Sequence, residues 1–349
     1  MPTNNAEARH RRTRQLGTEL LAAQHDTKKC LDLISQGIDI NGIAQSGGMT
    51  PLHCAASKGD ITVMKALLDL GADTEKGNVL HHPPLYDACM KAGSTAAARI
   101  LLEHGAKADF ACNHSGKTLL MLLARNSFHE TSIDIARLLL DHGADVNKSN
   151  AFGYTALFYA AEEEQHKDPQ VAGHMINVLL ERGADIEHRT WGERETPLLY
   201  ALRSGYAYSS RRLLKNGANV NVVSDGGTTP LMSALCSMDA GMVNLLIKNS
   251  ANMDAQDEHG DTALIIAAQL ENTYFLETLL KNGAHINTKN KDGKTALDYA
   301  LTPNHTRLIL TEEKKRTAAA FKTAAARGTI KPRKIMRPTV KKQAPLKPH

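Results

Sequence analysis

A short phrase recurs along most of this 349-residue chain. A Leu pair, two residues that are polar in most copies and then Gly-Ala-Asp or a close variant first appear together as Leu67, Leu68, Gly71, Ala72 and Asp73. Further copies sit at Gly105, Gly143, Gly183, Gly217, Ser250 and Gly283, and Gly37 opens a degenerate copy upstream; the intervals are 34, 34, 38, 40, 34, 33 and 33 residues. Such self-similarity marks a chain built by stacking one supersecondary unit, because each unit carries an apolar face that only its neighbours can cover. The expected architecture is therefore a solenoid of stacked units. A single compact core is excluded.

A second phrase follows each first one, as in Thr50-Pro51-Leu52-His53, Thr196-Pro197-Leu198, Thr229-Pro230-Leu231 and Thr262-Ala263-Leu264. Thr ahead of Pro-Leu is suited to cap a helix, and Pro in the first helical turn forfeits no hydrogen bond. Pairs such as Ala55-Ala56, Ala160-Ala161 and Ala267-Ala268 are small enough for close helix approach. Val63, Leu67 and Leu68 then give a second helix its apolar face, and Gly71 and its equivalents sit where that helix must end left-handed. Asp257 to Gly260 and Asn290 to Gly293 supply turn chemistry between units. A thin core of Ala and Leu needs few rings, which accounts for an aromatic content of 4% with six Phe and one Trp.

The T-P-L-H-x-A signature and the period near 33 resemble those of ankyrin repeats, a resemblance that implies the fold class all-α, an ankyrin-repeat solenoid of stacked helix-turn-helix units joined by β-hairpin-like loops. Eight or nine units cover residues 16–311. The first, near 16–41, is degenerate, and the last, from Asp292 to Leu310, reads as a C-terminal cap. Before them lies a basic N-terminal arm, 1–15. After them come an Ala-rich helix, 312–328, opening at Thr311 and ending at Gly328, and a basic Pro-containing tail, 329–349, expected to be disordered.

The resemblance implies that partners are bound by hairpin tips and the exposed positions of the first helices, which line the concave face. Carried over position by position, this marks Phe152 and Tyr154 around Gly153, Trp191 with Glu193 and Arg194, and His259 and Asp261 around Gly260. First-helix positions add Glu162, Arg203 and Gln269. Exposed aromatic rings in consecutive hairpins are frequent binding hot spots, so Phe152, Tyr154 and Trp191 form the expected anchor. The plainer alternative is that each ring packs on its own hairpin. Two units are overlong, at 126–131 and 162–169, and there the readings are a dedicated partner contact or tolerated loop growth. Asp87 replaces an apolar residue on a first helix. His53 holds the family's own position, and His104 and His142 precede helix-ending glycines; all three read as scaffold.

Charge is unevenly placed. Residues 312–349 carry twelve Lys and Arg against two Glu, and residues 1–15 four Arg against one Glu, so the net +5 of the chain leaves −8 between the two basic ends. Lys331, Arg333, Lys334, Arg337, Lys341 and Lys342 alternate with Pro in the tail. They fit a nuclear-import or nucleic-acid-contacting arm, or a plain solubilising tail. The tail and the acidic body could also attract each other.

The five Cys residues are odd in number, without C-x-x-C or zinc-finger spacing, which argues for a reducing compartment, cytosol or nucleus. No apolar run is long enough for a membrane span or a secretion signal. His81-His82 lacks a third metal ligand, and no nucleophile elbow, phosphate loop or kinase signature occurs. The expectation is thus a monomeric, non-enzymatic scaffold without cofactor or metal, binding another protein, with nucleic acid reachable only through the tail. Its layout is similar to that of effectors that intracellular bacteria deliver into host cells.

Overall fold

A computed structural model of the chain describes residues 47–112, 114–126, 130–162 and 169–326, with isolated positions between 19 and 42. The N-terminal arm, most of the degenerate first unit and the tail from 327, including Lys331, Arg333, Lys334, Arg337, Lys341 and Lys342, lie outside the described residues.

Seven helix pairs follow one another: α1 (Pro51–Lys58) with α2 (Ile61–Asp69), α3 (Pro84–Met90) with α4 (Thr95–Glu103), and α5 (Leu119–Arg125) with α6 (Glu130–Asp141). Next come α7 (Ala156–Ala161) with α8 (Pro169–Glu181), α9 (Pro197–Arg203) with α10 (Ala207–Lys215), α11 (Pro230–Cys236) with α12 (Ala240–Lys248), and α13 (Ala263–Gln269) with α14 (Thr273–Lys281). A long α15 (Pro303–Ala326) closes the array. No strand is formed among the described residues, apart from an isolated bridge between Ala111 and Thr118.

Local chemistry sets the helix ends. Thr50, Thr118, Thr196, Thr229 and Thr262 each accept a backbone N–H of the first helical turn through their hydroxyls, a cap worth about 1 kcal/mol. Asp60, Ser94, Asp239 and Asn272 cap second helices in the same way. At the other end Gly71 adopts φ 86°, and the amides of Gly71 and Ala72 turn back to Leu68 O and Leu67 O, both at 2.9 Å, which satisfies carbonyls the helix would otherwise strand. Ser250, in the copy without Gly, is held in the same left-handed region at φ 64°.

First helices stack on first helices and second on second. The Ala pairs at 55–56, 160–161 and 267–268 are buried at these contacts. Neighbouring hairpins are joined by backbone bonds: Val79 N to Gly47 O, Ala151 N to Ser115 O, Trp191 N to Phe152 O, Asp225 N to Glu193 O, Glu258 N to Gly226 O and Lys291 N to His259 O, all between 2.8 and 3.2 Å. Side chains do the same work in the first units, where His53 Nε2 donates to His82 O at 2.9 Å and His82 Nε2 to Cys112 O at 2.7 Å.

Two expectations change here. Thr311 opens no helix, because the last unit's second helix begins at Pro303 and runs without a breaker through Ala326. Arg316 ties it down, donating through Nη1 to Ala284 O at 2.7 Å and through Nη2 to Leu280 O at 2.6 Å. The overlong units also place part of their extra length in structure: Glu130 and Thr131 belong to α6 and Pro169 to α8, helices of 12 and 13 residues where α2, α4, α10, α12 and α14 have nine. Residues 127–129 and 163–168 lie outside the described set.

Candidate functional site

The face made by hairpin tips and first helices gathers most of the residues singled out from the sequence. Phe152 and Trp191 stand 61% and 66% exposed on adjacent tips. The tips touch through the Trp191 N to Phe152 O bond, and Gly153 permits the contact: it sits at φ 83°, and a Cβ there would meet Trp191 N at 2.7 Å. The Trp191 hairpin also carries Glu193, exposed, and Arg194, whose Nε lies 3.5 Å from Asp225 Oδ1.

Tyr154 does not join these two as an exposed ring. It is half-buried, edge-on to Phe158 and Tyr200 with centroids 5.2 and 5.6 Å away. The physical reason is the backbone: the left-handed turn at Gly153 sends the following side chain inward over α7 and α9. Burial there pushes the Tyr154 phenol upward in pKa, as it does for Tyr200 and for Tyr159, the last to about 12.

Glu162 and Arg203 lie where expected, at the ends of first helices, but each is bound. Arg125 Nε reaches Glu162 Oε2 at 3.2 Å, and Tyr200 OH donates to Glu162 Oε1 at 3.0 Å. Arg203 clamps Glu195 with Nε at 2.6 Å and Nη2 at 2.8 Å. That hydrogen bond raises the guanidinium's pKa. Its carbon centre also sits 5.9 Å from the Tyr200 ring, within cation–π range. Glu195 is only 6% exposed. Asp87 is fully buried and pairs with Lys91 Nζ at 2.7 Å.

Farther along, Gln269 Nε2 donates to Asp261 Oδ2 at 3.4 Å while Asn290 Nδ2 donates to Asp261 Oδ1 at 2.7 Å. His259 is exposed on its tip. The face therefore splits into an apolar pair of tips, an aromatic and ionic network over α5, α7 and α9, and a polar end at α13. The sequence singled out neither Arg125, Glu195 nor Tyr200. The signal available was their place: Glu195 directly precedes a capping Thr, Tyr200 holds the x of the repeated phrase, and Arg125 ends a first helix as Arg203 does.

The histidines are scaffold in this geometry. His53 is buried, with Nδ1 accepting from Thr50 N at 3.1 Å, and burial lowers its pKa. His82 stacks on Tyr86 with centroids 3.9 Å apart, and the His104 ring bonds Ile100 O at its helix end. Among the described residues no group of three or more His, Cys, Asp or Glu is placed to hold a metal, and no helix is long and apolar enough to cross a membrane.

Comparison with known proteins places this architecture. The family described as ankyrin repeats (3 copies) matches residues 20–110, 85–190, 170–257 and 235–317. Human ankyrin repeat and SOCS box protein 6 is 30% identical over 194 residues, 51% of this chain and 41% of that protein. Human neurogenic locus notch homolog protein 1 is 32% identical over 170 residues, covering 49% of this chain and 6% of the relative. A transient receptor potential cation channel subfamily A member 1 homolog of Caenorhabditis elegans is 26% identical over 222 residues, 63% of this chain and 17% of that one. The chain thus spans less than half the length of each of these relatives. The crystal structure of the human ASB11 ankyrin repeat domain aligns over 76% of this chain and 98% of its own at 24% identity, with a TM-score of 0.43. With overlapping family matches that cover every residue from 20 to 317, the chain belongs to the ankyrin repeat family.

Proposed function

We propose that this protein is a non-enzymatic scaffold that captures a partner protein on its hairpin and first-helix face, the concave side in ankyrin proteins. Ankyrin repeats are generally protein–protein interaction modules. One observation carries the reading to a place on the molecule: Phe152 and Trp191 project from bonded neighbouring tips, so two large rings are held at fixed spacing in solvent. Exposing both costs hydration free energy that a partner's apolar surface would recover, about 25 cal/mol for each Å² covered. Tyr154, packed edge-on to Phe158 and Tyr200, is not part of this exposed pair.

Affinity capture from lysate, comparing the intact chain with a Phe152→Ala, Trp191→Ala double variant, tests this. A protein held by the first and lost from the second supports the anchor, whereas identical bound sets overturn it. The +10 charge of residues 312–349 favours a second reading, action in the nucleus with the tail serving import or nucleic-acid contact. Removal of residues 327–349 followed by imaging distinguishes it, since an unchanged distribution would sink the import role.

A further inference from the structure

Four of the seven first helices described end in cations. Lys58 closes α1, Lys91 follows α3, Arg125 closes α5 and Arg203 closes α9. The negative end of a helix favours a cation at such a place, but three of these carry a further feature that the dipole does not explain. Each is paired with a carboxylate lying deeper than itself. Lys91, Arg125 and Arg203 have side chains 49%, 42% and 53% exposed, and their partners Asp87, Glu162 and Glu195 only 0%, 16% and 7%. The negative member is sunk and the positive member faces outward.

Burying a carboxylate is costly unless it is paired, so these acids fix the position of the cations at some expense to the scaffold. Arg203 spends two of its five N–H groups on Glu195, and the Nη1 edge is outside that pair. Tyr200 stiffens the set further, its ring under Arg203 and its hydroxyl on Glu162. A guanidinium held this way is prepared to accept a second planar anion with little loss of side-chain freedom.

We propose that this row of acid-anchored cations binds an extended acidic peptide segment of the partner protein, a deepening that rests on the scaffold reading above. Packed helices lie about 8–10 Å apart, and an extended chain in the polyproline II conformation, with three residues per turn and a rise of about 3.1 Å per residue, returns a side chain to the same side about every 9 Å. Adjacent units therefore match peptide side chains three residues apart. Lys91 and Arg125 take acids at the first and fourth positions, and Arg203, two units on, takes one at the tenth. Glu162 holds the unit between, so the seventh position is uncharged. The same Glu162 disfavours a nucleic acid, whose backbone carries a charge at every nucleotide and would bring one against it.

Fluorescence anisotropy of the full chain tests this with a labelled peptide of Gly and Ala that carries Glu at its first, fourth and tenth positions and Gln at the seventh. The expected result is salt-sensitive binding, weaker by about tenfold or more when the three Glu are replaced by Gln. Two variants remove the cation together with its buried acid, so that no unpaired carboxylate remains: Arg203→Met with Glu195→Gln, and Lys91→Gln with Asp87→Leu, since Leu122 and Ile266 hold the position of Asp87 in other units. Circular dichroism establishes which of them is folded, and each folded one should lose affinity. Equal binding of the Gln peptide, unchanged binding by a folded variant, or stronger binding of an oligouridylate than of the acidic peptide would overturn the proposal. Failure here with a positive Phe152 and Trp191 capture result would leave the scaffold reading standing and remove only the acidic partner.

Discussion

Arg203 grips Glu195 with both a side nitrogen and a terminal nitrogen of its guanidinium, at 2.6 and 2.8 Å, and the carboxylate it grips is buried while it is itself half-exposed. The two halves of this pair are therefore unequal. Arg203→Met strands a buried charge and should cost about 1–3 kcal/mol of unfolding free energy, while Glu195→Gln, which leaves an exposed cation, should cost less. Urea denaturation of both variants measures the difference, and equal losses would contradict the burial asymmetry.

Ser250 adopts a left-handed backbone at φ 64°, where six other copies of the phrase have Gly at φ 84–98°. A β-carbon is penalised in that region by about 1 kcal/mol. Ser250→Gly should stabilise the chain by an amount of that order, seen as a raised urea midpoint without a change of slope.

Gly153 faces the opposite situation. With φ at 83° and the next hairpin's backbone 2.7 Å from where a Cβ would lie, Gly153→Ala combines backbone strain with overpacking. A loss of about 2 kcal/mol or more is expected. Because Trp191 is the single Trp and stands on the contacted tip, its fluorescence should report the local change directly.

His53 provides a pH dependence of known sign. Burial lowers its pKa from 6.5, so between the folded value and 6.5 the unfolded chain binds more protons than the folded one. Stability is then complete above about pH 6.5 and falls as pH drops through the folded value. Met121 occupies the equivalent position in another unit, its sulfur accepting from Thr118 N at 3.4 Å. A His53→Met variant should therefore fold and lose less stability than the parent between pH 7 and pH 5; identical losses would assign the effect elsewhere.

Arg316 caps α14 from a neighbouring helix. Arg316→Ala removes its bonds to Leu280 O and Ala284 O, at about 1–2 kcal/mol. Hydrogen exchange should quicken in α14 and α15 and remain unchanged at α1 and α2.

The periodic part of this structure was legible because each repeated residue type answers a local need: Thr for a cap, Gly for a left-handed end, Ala for a close contact. The interface was less so. Phe152 and Trp191 could be read as exposed from their hairpin positions, but Tyr154 could not be told from them, since its burial depends on which way the chain leaves Gly153. The pairing of Arg125 with Glu162, one unit later, is set by how units stack, which no single repeat encodes, and that of Arg203 with Glu195, eight residues earlier, by how a hairpin folds back over the end of the helix that follows it. The start expected at Thr311 fails for a different reason: Thr311 has the chemistry of a cap, but nothing upstream of it interrupts the helix begun at Pro303.

That uninterrupted helix gives the molecule a rigid outrigger. Ten residues separate Arg316, the last anchor to the stack, from Ala326, and at about 1.5 Å per residue they carry the chain some 15 Å farther on. Its far end at Ala326 therefore keeps a fixed bearing on the stack. That bearing is set by the same arginine that seals the last repeat, and Arg316→Ala should loosen the rod along with the seal.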